Sequence, residues 1–187
     1  MERTLLTPEQ YLEAERESEE RHEYLDGEVR VMPGANEAHC LLEVNVASEL
    51  GRQVRSTPCR VFLVQMRVRV KPEFYTYPDV LVVSGEPRFL DDQKDTLLNP
   101  QLIVEVLSPS TEAYDRGRKF EQYKAIESLR EYLLVASDRR HADLYSRQAN
   151  GRWILSSADS LDESLTIESI GVHLRLSELY EKVELAA

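Results

Sequence analysis

The chain has 187 residues, 42% of them hydrophobic and 30% charged, with a formal net charge of −11. That length suits one domain with a real core; no apolar run approaches the roughly 18 residues of a spanning helix, and "MERTLL" leads straight into charged residues, so neither a membrane span nor a secretory leader is expected. The two cysteines, Cys40 and Cys59, form no CxxC and no disulfide framework; each is expected as a small core residue of a reduced, cytoplasmic protein.

In chain order, "TPEQYLEAERESEE" opens with Thr7 as N-cap, Pro8 at the first helical position and Gln10 closing a capping box, a short acidic helix over about 7–20. "YLDGEVRVMPG" carries the hairpin signal Asp26-Gly27. From Ala38 to about Val54, Leu42, Val46 and Leu50 recur at helical spacing. "RVFLVQMRVRV" alternates strictly, with Phe62, Val64, Met66, Val68 and Val70 on one side, which reads as one strand. "YPDVLVV" and "LIVEVL" are further strands. "SPSTEAYDRGRKFEQYKAIESLREY" reads as a helix capped by Ser108 or Ser110. "YLLVAS" is the next strand, "ADLYSRQANGRWILS" a hairpin around Asn150-Gly151, and "SELYEKVELA" a closing helix over about 176–186. Tyr132 and Trp153 are expected in the core. The order predicts an α/β protein with a mixed central sheet flanked by helices, in a single domain over 1–187.

The charge is unevenly spread. Residues 1–30 hold ten acids and four bases, and residues 157–187 seven acids and two bases. Residues 50–72 hold six bases and no acid. That strip, with Arg67, Arg69 and Lys71 at its end, can face a polyanion or be a solvated strand face.

Glu105 stands inside the apolar run "LIVEVL", where an unpaired carboxylate costs several kcal/mol. It requires a cation from the chain, a bound metal, or solvent at the strand's end. Asp79 is a second acid within an apolar strand. Asp115, Lys119 and Tyr123, spaced i, i+4, i+8, form one helical stripe. If the two strands are neighbours, Asp79 and Glu105 converge and a cation must lie between them; Mg²⁺ suits an oxygen-only site of this kind. His22, His141 and His173 show no zinc-ligand spacing.

"PD" at the head of one strand and "E-V" in the next resemble the PD-(D/E)xK nuclease superfamily. The longer string "VEVLSPSTEAYDRGRKFEQY", with "YLDGEVRVMPGANEAH" upstream, resembles a narrower branch, the Uma2-like restriction endonuclease family (domain of unknown function 820), from about Tyr11 to Tyr145. The resemblance implies a restriction-endonuclease-like fold and metal-assisted hydrolysis of phosphodiester bonds. It implies Mg²⁺ (or Mn²⁺) held by Asp79, Glu105 and the backbone carbonyl of Val106. Asp79, Glu105 and Lys119 would be catalytic, Asp115 and Tyr123 would orient the lysine, and Glu28 and His39 match family positions near the site. The superfamily lysine would fall at position 107, which is Leu107 here, so Lys119 is expected to supply the ammonium. Arg67, Arg69 and Lys71 would hold the nucleic-acid backbone. The expected partner is nucleic acid, DNA before RNA, met by a homodimer. The alternative is a catalytically inactive module of the same fold that binds nucleic acid or protein.

Overall fold

The structure is a computed structural model that describes residues 5–185. Its first helix, α1 (Pro8–Glu17), starts as the capping box requires: the Gln10 amide donates to Thr7 Oγ1 at 3.3 Å and the Thr7 amide to Gln10 Oε1 at 2.9 Å. Strands β1 (His22–Leu25) and β2 (Glu28–Val31) form the expected hairpin. Asp26 (φ 50°) and Gly27 (φ 90°) at its tip both take the left-handed conformation that such a two-residue turn demands. Helix α2 (Glu37–Gln53) is capped by Asn36, whose Oδ1 accepts the His39 amide at 2.9 Å, and it buries Leu42, Val46 and Leu50.

The alternating run 60–70 is two strands rather than one. β3 (Cys59–Leu63) and β4 (Arg67–Lys71) belong to different sheets. Between them the chain turns, with the Met66 amide bonded to the Leu63 carbonyl at 2.8 Å. The alternation runs on across the turn although the strands are buried differently: β4 buries Arg67, Val68 and Val70, whereas β3 only half-buries Cys59, Val61 and Phe62. β5 (Phe74–Thr76), β6 (Val80–Ser84), β7 (Thr96–Leu97), β8 (Leu102–Leu107) and β9 (Glu131–Ala136) follow. β10 (Ala142–Arg147) and β11 (Trp153–Ala158) make the second expected hairpin.

The segment after Ser110 is shorter and less regular than its pattern predicts. It comprises α3 (Glu112–Tyr114), a π-helical turn over Asp115–Lys119 and α4 (Phe120–Tyr123). Ser108 caps its approach: the Ser108 carbonyl accepts the Glu112 amide at 3.0 Å, Ser108 Oγ accepts the Thr111 amide at 3.3 Å, and Thr111 Oγ1 accepts the Ser108 amide at 3.2 Å. β12 (Ser164–Ile167) and β13 (Val172–Arg175) add a hairpin that the sequence pattern did not signal, and the closing helix is only α5 (Leu176–Leu179). Cys40 is exposed on the outer side of α2, contrary to expectation, while Cys59 is half-buried.

The larger sheet runs β11-β10-β9-β8-β6-β3 and the smaller β2-β1-β5-β4-β7. β8 is central, antiparallel to β6 and parallel to β9. Both faces of β8 are therefore covered, and all six of its residues are buried. Leu102, Val104 and Val106 pack with α2, the β12–β13 hairpin and α5. Ile103 and Leu107 face the other way, against Phe120, Tyr123 and Tyr132 and the smaller sheet's Val68 and Phe74. Tyr132 is fully buried and Trp153 packs half-buried beside Phe120. On the outer face of the smaller sheet, Tyr11 of α1 stacks on Tyr24 and meets Tyr75.

Candidate active site

Glu105 shares its side of β8 with Ile103 and Leu107. The pairing of Val80 with Val104 places Asp79 immediately across from Glu105, at the point where β6 begins. Asp79 Oδ2 accepts the amide of Val106 at 2.6 Å, in the place a further strand residue would occupy. Leu107, the next residue, gives its carbonyl to the Ser137 amide on the β9 side. Successive residues of a strand point their backbone groups to opposite edges, so the Val106 carbonyl lies on the Asp79 side.

The helical segment 112–123 crosses this face of the sheet. Lys119 Nζ lies 2.7 Å from Glu105 Oε1 and 3.4 Å from Asp115 Oδ1. Tyr123 donates its hydroxyl to the same Glu105 oxygen at 2.7 Å. The cation that makes Glu105 tolerable is thus Lys119, itself only 3% exposed. Leu107 is packed into the apolar layer, so the strand offers no room for a lysine there. Phe120, Tyr123 and Ile126 anchor the segment in that layer.

Asp79, Glu105, Val106, Asp115 and Lys119 floor a cleft of about 390 Å³, which also reaches Glu23, His39, Glu43, Tyr114 and Arg30. His39 Nε2 is 3.3 Å from Asp79 Oδ1. His39, Glu43 and Asp79 each bring one ligand atom within 4.8 Å of the others. Glu43 was not singled out from the sequence, although His39 and Glu43 share a helix face at i, i+4 spacing. Glu23 was also missed. Its carboxylate accepts from Thr76 at 2.9 Å and from the Tyr114 hydroxyl. Glu28 opens β2 and pairs with Arg30 at 2.8 Å.

The electrostatics of the cleft are those of a carboxylate surplus. Burial pushes the Glu105 carboxyl up; Lys119 opposes this, and Asp115 and Asp79 add to it. Burial likewise raises Asp115 and Glu43, with Asp79 contributing to both. Burial works against the Lys119 ammonium, but Glu105 and Asp115 outweigh it and hold the group in its charged form. For His39, burial is outweighed by the hydrogen bond and charge of Asp79, which favour the imidazolium. Several buried oxygen donors and one imidazole, short of positive charge, suit a hard divalent cation.

The basic strip does not form one surface. Arg67 is 2% exposed and lies between Tyr11 and Tyr77. It donates to Thr96 Oγ1 at 2.9 Å and to the Tyr77 hydroxyl at 3.1 Å, and pairs with Asp95 at 3.0 Å. It cannot reach a phosphate, because strand alternation at β4 turns it into the packing against α1. Arg69 is half-buried opposite Tyr75. Lys71 lies 3.6 Å from Asp26. None of the three lines the cleft.

Residues 8–177 match the family model Uma2, described as "Putative restriction endonuclease", and the chain belongs to that family. "Uncharacterized protein slr1290" of Synechocystis sp. is 36% identical over 178 residues, covering 94% of this chain and 91% of that protein. "Uncharacterized protein sll1609" of the same organism is 33% identical over 165 residues, covering 88% and 92%. A crystal structure from Anabaena variabilis, titled a putative nuclease belonging to DUF820, superposes with a TM-score of 0.78 at 18% identity, covering 96% of this chain and 99% of that one. The fold is therefore the mixed α/β, restriction-endonuclease-like architecture that the sequence predicts. Among the described residues, no helix is long and apolar enough to cross a membrane.

Proposed function

We propose that this protein is a divalent-metal-dependent nuclease that hydrolyses phosphodiester bonds, with Mg²⁺ or Mn²⁺ as cofactor. The observation that carries this reading is the Lys119–Glu105 contact at 2.7 Å beside Asp79, on the floor of an acidic cleft. A lysine from the crossing segment thereby occupies the role left open by Leu107. Asp79 and Glu105, with the Val106 carbonyl, would hold the ion, and His39 and Glu43 would complete the set on the α2 side. When bound, a divalent ion supplies polarisation of a phosphoryl oxygen and a lower pKa for a coordinated water.

The chain's own groups have separable tasks. Lys119, kept as an ammonium by two carboxylates, is no general base; it orients the attacking water and stabilises charge that develops on the phosphate. Asp115 and Tyr123 fix it from either side, through the ion pair at 3.4 Å and through the shared Glu105 oxygen. The test is hydrolysis of supercoiled plasmid, single-stranded DNA and RNA with Mg²⁺ or Mn²⁺, compared with Glu105→Gln. Metal-dependent cleavage that this variant abolishes supports the reading. Equal cleavage by the variant, or none by either protein on any substrate, overturns it in favour of a non-catalytic module.

A further inference from the structure

We infer that the cleft receives one unstacked base, and that this protein takes single-stranded nucleic acid in preference to duplex. This rests on the nuclease reading, which sets a phosphate at the Asp79–Glu105 floor.

The wall above that floor is apolar. Val31 ends β2, Met32, Pro33 and Ala35 follow it before α2, and Val64 comes from the turn after β3; all five line the cleft with the catalytic carboxylates. Val31 remains 57% exposed, so its side chain is open to a ligand in the cleft. A phosphate and sugar have no use for such a wall, whereas the face of a base does. The cleft's volume of about 390 Å³ suits a ligand of roughly nucleotide size rather than a double helix.

Charge points the same way. Duplex binding gains its affinity by neutralising many phosphates along one cationic face. Among the described residues the bases of 50–72 offer no such face at the cleft: Arg67 is buried, Arg52, Arg60 and Lys71 pair with Glu49, Glu86 and Asp26, and neither Arg55 nor Arg69 lines it. The cation on the cleft's apolar side is Arg30, paired with Glu28. With few phosphate contacts, apolar contact with a base must supply the affinity. A duplex would first have to unstack that base, a cost that a single strand avoids. A single strand also removes the need for the two opposed sites that duplex cleavage asks of a homodimer.

The test is fluorescence anisotropy of a labelled 12-nucleotide thymidine strand, its fully abasic analogue and a 12-base-pair duplex, with Ca²⁺ present. The strand should bind at least tenfold more tightly than the duplex and the abasic analogue. Met32→Asp should remove that advantage, and Met32→Leu should retain it. Duplex or abasic binding as tight as the strand's, or no binding of any probe, overturns the inference. The nuclease reading is judged separately by hydrolysis: base-dependent binding without metal-dependent cleavage would leave the pocket standing and sink the enzyme.

Discussion

Two buried cations, Lys119 and Arg67, meet carboxylates in opposite ways. Arg67 is enclosed by α1 and the smaller sheet. Two tyrosine rings flank it, Thr96 and Tyr77 accept its hydrogen bonds, and Asp95 is held by both Arg67 and Arg16, the latter also paired with Asp91. Its charges balance within the cluster. Lys119 stands at the edge of a cleft among Glu105 and Asp115, with Asp79 close behind, and one ammonium does not offset them. A closed, balanced pair holds elements together. An open, unbalanced cluster keeps a place for a further cation and its ligand. Burial alone does not separate the two, since both side chains are nearly inaccessible; the surplus of charge does.

The largest expected effect breaks the open cluster. Lys119→Met should lower metal-dependent cleavage by a factor of about 10² or more. It should also destabilise the metal-free protein by about 3–5 kcal/mol, because Glu105 loses its cation. Adding Glu105→Gln should recover part of that stability in urea unfolding. If the double variant is no more stable than Lys119→Met, the pair is not the reason Glu105 is tolerated.

Asp79→Asn should come next. Calorimetric titration should show Mg²⁺ and Mn²⁺ binding lost, while the metal-free melting temperature holds or rises as crowding among Asp79, Glu105 and Asp115 is relieved. Unchanged metal affinity would remove Asp79 from the metal site. Arg67→Met should cost about 2–3 kcal/mol through its lost charge-assisted hydrogen bonds, yet leave nucleic-acid affinity and its salt slope as they were. A flattened slope would return Arg67 to the binding surface.

The smallest effect is on acid stability. Burial alone would raise the Asp95 carboxyl, but the Arg16 hydrogen bond and the Arg67 charge outweigh it and hold it at about 2. A folded value below the unfolded one, about 3.9, stabilises above the unfolded pKa and is lost as pH falls through the folded one. Asp95→Asn should therefore flatten the stability curve between about pH 4 and pH 2 and leave its shape near neutrality alone. An identical acid limb in the variant would show that Asp95 carries no such linkage.

The fold was legible in the sequence wherever a segment carried its own punctuation. Thr7-Pro8-Gln10, Asp26-Gly27 and the Leu42–Val46–Leu50 stripe each announced their element. It was obscured where two elements shared a period: β3 and β4 alternate in phase, so the turn at Val64–Met66 looked like more strand. β5 and β7 are too short for any period to be seen. Asp79, Glu105 and Lys119 lie together, as the family resemblance implied; spacing alone gave only the Asp115–Lys119–Tyr123 stripe, and the pairing of β6 with β8 that brings the two acids together is a long-range contact that no local pattern records. Glu43 and Glu23 were hidden because their approach to the cleft depends on how α2 and β1 pack, which no local pattern records. Arg67 misled for the related reason that a basic residue at an alternating position does not state which side of its strand is covered.

The π-helical turn over Asp115–Lys119 has a consequence for chain length. An α-helix advances about 100° per residue, and a π turn holds one residue more than the α pattern allows. Deleting exposed Gly117 would let this turn close as an α-helix, with Asp115 on one flank and Phe120 and Tyr123 on the other still in phase. A single codon lost here is thus absorbed within one turn, and the ammonium keeps its place beside Glu105.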